Sequence, residues 1–454
     1  MYSDDPVPLT SVSQATALWG TGSMLQIIAS KLLPNIGSLP VTVYPTVQSD
    51  GLAVRAEVVI KLGLKNTSGL SPNALTFRVI SGGVAAPPRF IPPGQTDLQL
   101  LFVLAVEIIV SGDTGPLPIQ FGSIVAGGVR CPTKWEGSSG NGMRTEIEVL
   151  SGDDGAFDIV SDSSTGGSGG PTLFSTLDNI GQKWETLIVN GFGPVATDVD
   201  GGTYIDAIKD WGDDRWDVNE PRPAMVVSGY NVETPQAAFP VTAPHQSDRT
   251  NVLMNVPGSI DLFGGIAASA VAEIAKRAQD DPPRDYTRTQ LPDLIPIEAL
   301  QFFSYADRTV SVDHGVATVL NVGGVQALGD VVTMNVTLDG FRDGVDIVKL
   351  QNIIYRIRLI FESEEWEGAP LVPDEQRIAT LSARKPKDAV AAIAREVQAL
   401  ALDAILSNPE SAIDSVSASI DGANPKRLNV SVTVQLSGNV GIVSVDLNFG
   451  LTFS

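Results

Sequence analysis

The stretch LNVSVTVQLSGNVGIVSVDLNFGLTFS, residues 428–454, carries the strongest structural signal in this chain. Val430, Val432, Val434 and Leu436 alternate with Asn429, Ser431, Thr433 and Gln435. After Ser437-Gly438-Asn439 the alternation resumes, with Val443, Val445, Leu447, Phe449, Leu451 and Phe453 on one side. A period of two over this length reads as a β-hairpin with one buried face. Strand edges protected against pairing carry Lys, Pro or a cover. The final strand carries only Asp446, so its edge can accept or donate a strand across a subunit boundary. An ordinary closing strand of an internal sheet accounts for the same pattern.

Working back from this hairpin, two helices are expected. Ile347, Leu350, Ile354, Ile357 and Phe361 share one face, as do Val390, Ile393, Val397, Leu400 and Ala404. Strand-rich sequence occupies Thr309–Leu320, turned by Asp313-His314-Gly315, and Val331–Leu338. From about residue 175, strands at Thr186–Asn190 and Ala224–Ser228 alternate with helices at Thr203–Trp211 and Leu262–Ala278. That order predicts a mainly parallel, doubly wound sheet. Between 51 and 174 the texture is different. The short apolar runs Val54–Leu62, Thr76–Ile80, Leu98–Val110, Ile119–Val125 and Thr145–Leu150 are separated by Gly, Pro, Ser and Asn clusters, which predicts an all-β sandwich or barrel. It closes in a Ser/Gly-rich, flexible segment, Ser161–Gly170. The N-terminal stretch predicts helix over 12–33, broken at Gly20-Thr21-Gly22-Ser23 with Ser23 as cap, then a strand at Val41–Val47. The expected architecture is an α/β core domain (1–50 and 175–427), an inserted all-β domain (51–174) and a C-terminal β-hairpin arm (428–454).

Thirty basic against 52 acidic residues give a net charge of −22, with two histidines. So acidic a chain is a poor ligand for nucleic acid or an anionic membrane. No apolar run reaches the ~18 residues of a membrane span, and the N-terminus has no secretion-signal pattern. The single cysteine, Cys131, excludes an internal disulfide, fits a reducing compartment and reads as a small buried hydrophobe. Charge is locally reversed at 376–395, where Arg377, Arg384, Lys385, Lys387 and Arg395 face one acid, Asp388. That patch reads either as a docking face for an acidic partner or as a solvated helix start.

Recognisable catalytic chemistry is missing. Gly166-Gly167-Ser168-Gly169-Gly170-Pro171 approaches a serine-protease nucleophile motif, but His245 and His314 both follow the serine, and that family needs its histidine earlier in the chain. A glycine-rich linker is the better account. Gly20-Thr21-Gly22 lacks the third glycine and the preceding strand of a dinucleotide site. Asp210, Asp213, Asp214, Asp217 and Glu220 crowd one loop without calcium-loop spacing. Trp19, Trp184, Trp211, Trp216 and Trp366 flank element ends, as core or contact residues do. No cofactor, no metal and no enzymatic activity are expected.

Ala17-Leu18-Trp19-Gly20-Thr21-Gly22-Ser23-Met24-Leu25, the first of four segments taken in order, is similar to the "LFG-x-GS-ML" segment of the Mu-like contractile-tail sheath proteins of phages. Lys134-Trp135-Glu136-Gly137-Ser138-Ser139-Gly140-Asn141 resembles their "G-x-x-GN" turn. Asp281-Pro282-Pro283-Arg284, running to Leu291-Pro292-Asp293, resembles "DPARPL…LPG", and Asn424-Pro425-Lys426-Arg427 resembles "DPNRV" before the last strands.

The resemblance implies a tail sheath subunit of the virion, assembled in the host cytoplasm as stacked hexameric rings around a tail tube protein. It implies baseplate and tail terminator proteins as further partners, with no nucleic acid and no direct membrane insertion. Contraction would drive the tube through the host envelope without nucleotide. Strand exchange would fall to Val443, Val445, Leu447, Phe449, Leu451 and Phe453, and Arg384, Lys385, Lys387 and Arg395 would face the tube. Family members carry an N-terminal arm before the "LFG" segment, whereas sixteen residues precede Ala17. Either that arm is very short, or exchange relies on the C-terminal hairpin and another element. The competing expectations are another virion structural or receptor-binding tail protein, and a hydrolase using Ser168.

Overall fold

The glycine break in the N-terminal helical stretch falls where the sequence puts it. Helix α1 (Val12–Trp19) starts at Ser11, whose side chain accepts from the Gln14 N–H, and ends at Gly20 with φ +87°. Helix α2 (Met24–Leu32) starts at Ser23, which accepts from the Gln26 N–H. Strand β1 (Val7–Leu9) pairs antiparallel with β2 (Val41–Val43). The computed structural model describes residues 5–46, 53–65, 69–152, 155–181, 184–216, 221–337, 340–380 and 382–439. They form two compact units, Met1–Asp280 with Tyr286–Ile347, and Asp281–Asp285 with Val348–Ser454.

Strands β3 (Glu57–Leu64), β4 (Leu75–Ser81), β5 (Val84–Ala85), β6 (Arg89–Ile91), β7 (Ser123–Val125), β8 (Gly128–Pro132), β9 (Arg144–Ser151), β10 (Phe157–Val160) and β11 (Asp162–Ser163) make two antiparallel sheets. Their orders are β10-β3-β8-β7 and β11-β9-β4-β5, with β6 also on β4. Alternation drives the packing: Val58, Ile60 and Leu62 of β3 meet Phe77 and Val79 of β4 in one core, while Glu57 and Val59 point out. Cys131 lies fully buried in that core, and burial pushes its thiol up to about 12.

Two expectations for this region need correction. Leu98–Val110 is not strand but helix α3 (Asp97–Ile108), opened by a Thr96–Gln99 capping box and continued by a π-helical turn, Ile109–Asp113. Leu100, Leu104 and Ile108, four residues apart, fill the core at 0% exposure. Apolar residues on the other face hide that period in the sequence. Nor is Ser161–Gly170 a loose linker. It contributes β11 and bridges Thr165 to Glu57 and Ser168 to Val54.

Next come α4 (Phe174–Gly181), β12 (Leu187–Asn190), α5 (Tyr204–Asp214), β13 (Met225–Tyr230), a short α6 (Phe239–Thr242), β14 (Asn251–Asn255), α7 (Phe263–Asp280), α8 (Tyr305–Asp313) and β15 (Val316–Ala317). The strands form the expected parallel sheet, β12-β13-β14-β15. Sequence reading missed β14 because asparagines bracket it, yet both are buried and hydrogen-bonded, Asn251 to Asp248 and Asn255 to Val232. Helix α7 presses onto the sheet so closely that a Cβ at Gly229 of β13 would collide with the Phe263 carbonyl.

Asp313-His314-Gly315 does not turn a hairpin. It ends α8, which opens with a Ser304–Asp307 capping box. The hairpin is β16 (Val319–Val322) with β17 (Val325–Leu328), turning at Gly323-Gly324, both with positive φ. Among the described residues of Val331–Leu338 there is no strand, only a single bridge from Val332 to Asp343.

The second unit receives α9 (Gly344–Phe361) from Val348 onward, then α10 (Pro386–Leu402), β18 (Leu406–Ser407), α11 (Pro409–Ser415), β19 (Ser417–Ile420), β20 (Leu428–Ser431) and β21 (Gln435–Leu436). Its core joins Ile353, Ile393, Val397, Leu400, Ile405, Leu406 and Ala412. On α9 the inward face is turned from expectation, with Ile353 replacing Leu350 and Ile354 as the buried position. On α10 Ala389 replaces Val390, and Ala404 lies past the helix with φ +56°.

One ionic contact ties the first unit together. Lys31 of α2 lies 2.9 Å from Asp261, whose side chain is 0% exposed. Asp261 also accepts from Ile295 N–H at 2.8 Å, and a Cβ at Gly83 of the β4–β5 turn would collide with its carboxylate. Removing one partner of a buried pair strands the other charge and typically costs about 3–5 kcal/mol. Lys31→Met should therefore lower unfolding stability by about that much in denaturant titration, with the Lys31→Met/Asp261→Asn double variant recovering part of the loss. A silent single variant would contradict this account.

Candidate assembly surfaces

The first two sheath-like segments meet in the first unit. Lys134 donates its Nζ to the carbonyls of Thr21 (2.9 Å) and Gly115 (2.7 Å), and burial holds its ammonium below the usual lysine value. Gly22, at φ +74°, backs directly onto this contact. A Cβ there would lie 2.5 Å from Lys134 Nζ and 2.6 Å from the Leu117 carbonyl.

The following turn gathers the glycine-rich strap. Gly137 N–H donates to Val54, and Ser138 N–H to Gly169. Ser138 Oγ donates to the Thr197 carbonyl and accepts from the Thr197 N–H, both at 2.8 Å. Asn141 clasps Gly167 through both its amide atoms, also at 2.8 Å. Ser168 is therefore held as one rung of this strap, its backbone paired both ways with Val54. The histidines are engaged elsewhere: His245 Nε2 sits 3.6 Å from Asp206, and His314 stacks on Phe239 at 3.9 Å.

The expected acidic loop is largely helix: Asp210, Asp213 and Asp214 lie on the last turns of α5, where Asp213 takes Lys209 (2.7 Å) and lies 3.9 Å from Arg249, whereas Asp217 and Glu220 lie outside the described residues. Among the described residues no three His, Cys, Asp or Glu side chains group to hold a metal. No described helix is long and apolar enough to cross a membrane.

In the second unit, the 376–395 stretch is partly spent on its own fold. Arg384 lies 3.5 Å from the Glu365 carboxylate and donates to the Glu365 carbonyl. Lys385 donates to the carbonyls of Asp374 (3.1 Å) and Gln376 (2.6 Å). Lys387 and Arg395 keep exposed side chains. A count restricted to 376–395 missed Glu365 and Asp374, which the chain folds back onto it.

The terminal alternation holds in part. Val430, Val432, Val434 and Leu436 pack on the second unit's core while Ser431, Thr433 and Gln435 face out. The single strand expected there is two short ones, however: β20 pairs with β19 and β21 with β18. The Asn424–Arg427 segment lies in the β19–β20 turn, where Asp421 accepts from the Ala423 and Asn424 N–H groups at 2.9 Å and the Asn429 amide at 3.0 Å. The Asn429 bond chiefly, with those two, lowers the Asp421 pKa. Val443, Val445, Leu447, Phe449, Leu451 and Phe453 lie outside the described residues.

A clamp that sequence reading missed stands just before them. Lys349, 0% exposed, donates to the Ser437 carbonyl at 2.6 Å and to Asn439 Oδ1 at 2.7 Å. Asn439 in turn donates to Pro283, in the third sheath-like segment, at 2.7 Å. A lysine inside the apolar run of α9 was the available signal.

No protein-family model and no curated protein sequence matches the chain. Among solved structures, the sheath tail protein of Listeria innocua superposes with a TM-score of 0.51 at 11% identity, over 96% of this chain and 90% of that one. The chain has the fold of a sheath tail protein. The sheath tail protein of Desulfitobacterium hafniense matches at 10% identity and a TM-score of 0.47, over 96% and 91% of the two chains. The PVC sheath complex of an extracellular contractile injection system, in its contracted state, matches at 11% and 0.38, over 53% and 68%. Of these three, the Listeria superposition alone exceeds a TM-score of 0.5, and at 11% identity it bears on the fold alone.

Gly22→Ala puts a methyl where backbone carbonyls already stand and imposes positive φ on a non-glycine residue. Overpacking and strain of that kind cost about 1–3 kcal/mol each. Thermal unfolding should show a larger loss for Gly22→Ala than for Gly37→Ala, where φ is also positive, so the backbone strain is shared, but the space is open. Equal losses would mean that backbone conformation alone, not the Lys134 contact, makes the glycine necessary.

Proposed function

We propose that this chain is the structural subunit of a contractile phage tail sheath. It polymerises as stacked hexameric rings around a tail tube protein, engages baseplate and tail terminator proteins, and shortens to drive the tube through the host envelope. The observation that carries this reading is the sheath-tail fold over nearly the whole chain. The convergence of Gly20–Ser23 with Lys134–Asn141 supports it. In this reading, residues 1–50 and 175–427 form the core, 51–174 is an outward-facing insert, and 428–454 is the exchanging arm. The subunit works in the virion tail after assembly in the host cytoplasm, does no catalysis and uses no cofactor.

Two features suit the task. The Lys349–Asn439 clamp holds the chain as far as Asn439, and the alternating apolar set Val443–Phe453 that follows in sequence is proposed for backbone pairing with a neighbour. Among the basic residues, Lys387 and Arg395 are the best placed to meet an acidic tube, since Arg384 and Lys385 already hold Glu365, Asp374 and Gln376.

Deleting residues 440–454 should leave a soluble chain with unchanged unfolding temperature that no longer sediments as polymer. Normal polymer from the truncation would remove the arm from the account. Lys387→Glu with Arg395→Glu should weaken co-sedimentation with the tube protein about tenfold, more at low salt than at high. Unchanged co-assembly would identify this face as solvated surface.

A further inference from the structure

Helix α3 has two apolar faces, and only one is covered. Leu100, Leu104 and Ile108 fill the β core. The opposite face shows Leu98 at 60% exposure, Phe102 at 53%, Val106 at 52%, Ile109 at 41% and Val110 at 47%. Spaced at three or four residues, these side chains form one stripe. Contiguous exposed apolar patches of this kind mark interaction sites, whereas single exposed apolar residues do not.

The stripe is also kept free of charge. From Leu98 to Gly112 the one ionisable side chain is Glu107, and it is turned inward at 0% exposure, held by Arg89 and Ser111. A helix interior glutamate is normally left in water. Burying it here leaves the outward face uncharged between Asp97 and Asp113. Those two acids are themselves anchored, Asp97 accepting from Leu64 N–H at 2.6 Å and Asp113 from Phe121 N–H at 2.7 Å. The π-helical turn turns Ser111 and Gly112 inward, where a Cβ on Gly112 would meet the Ile119 carbonyl at 2.7 Å, and leaves Ile109 and Val110 outside.

We propose that this α3 face is a contact surface between copies of this chain within the polymer, its occupant being an apolar face of a second copy. Charge selects that partner. Two chains of net charge −22 repel wherever acidic surfaces approach, so a copy is accepted best where no exposed charge has to be desolvated. Arg89, whose side chain is 41% exposed, is spent on Glu107, so it offers a phosphate-bearing partner no unneutralised charge. Area sets the context. Five partly exposed side chains form a patch of a few hundred Å², below the ~800 Å² per partner of a stable binary complex. The contact therefore acts only where other contacts already hold the copies in register, as in a polymer. It rests on the sheath reading for that polymer.

The test uses the full chain with Val106→Glu and, separately, Val106→Lys. Position 106 is half exposed, so both variants should keep the wild-type circular dichroism spectrum and unfolding temperature. Both should raise the protein concentration at which polymer first sediments by tenfold or more. A Val106→Cys variant, with Cys131 buried, should react with a thiol probe as monomer and lose most of that reactivity in polymer. Wild-type onset for both charged variants, or equal thiol reactivity in the two states, overturns the α3 assignment while leaving the sheath reading intact. Impairment by Glu with enhancement by Lys would mean an acidic partner surface and overturns it as well. A wild-type chain that never polymerises contradicts the sheath reading itself.

Discussion

The buried contact between Lys31 and Asp261 is the constraint on which the first unit depends. Asp261 lies between the Gly82-Gly83 turn of the β region, helix α2, the entrance of α7 and the backbone of Ile295. A carboxylate in that position is tolerable only with a cation and N–H donors in place. Four chain segments far apart in sequence must therefore arrive together, and the β region is pinned to the parallel sheet at this point. The charge-assisted Lys134 clasp on Thr21 and the neutral hydrogen bonds of the strap through Gly137, Ser138 and Asn141 work to the same end. In the proposed sheath subunit, such connections would transmit force through the unit rather than let the β region swing.

Charge is the second theme. In the proposed polymer a chain of −22 has to pack copies side by side, and several charges of the described surface are neutralised locally. Arg384 and Lys385 are drawn into their own loop, Glu107 is turned inward, and Asp421 is tied to its hairpin turn. What is left for contacts is backbone, apolar surface and a small number of free cations. In the proposed sheath, contacts through backbone and apolar surface demand little desolvation of charge, so each could be exchanged for another as neighbours slide.

Much of the fold was legible in the sequence wherever one periodicity dominated. The α1–α2 break follows from Gly20–Ser23, α5 and α10 from helical periodicity, β12 and β13 from short apolar runs, and α7 from an alanine-rich run. The failures share a cause. Helix α3 is apolar all round, so its 3.6-residue period vanished into a strand-like run. Strand β14 is bracketed by asparagines whose satisfaction by Asp248 and Val232 is a tertiary fact. The glycine-rich strap looked loose because its partners, Val54 and Asn141, are remote in sequence. Lys349 went unnoticed because burial of an ammonium depends on carbonyls nearly ninety residues away, a separation no local pattern reports. Val331–Leu338 alternates, yet its described residues make one bridge.

The central claim is that copies of this chain build a tube. Negative-stain electron microscopy of the purified full chain, over a series of concentrations, tests it most directly. The account predicts hollow tubes of uniform width made of stacked rings, appearing above a threshold concentration. Dispersed single subunits at every concentration, with the fold intact, would contradict it.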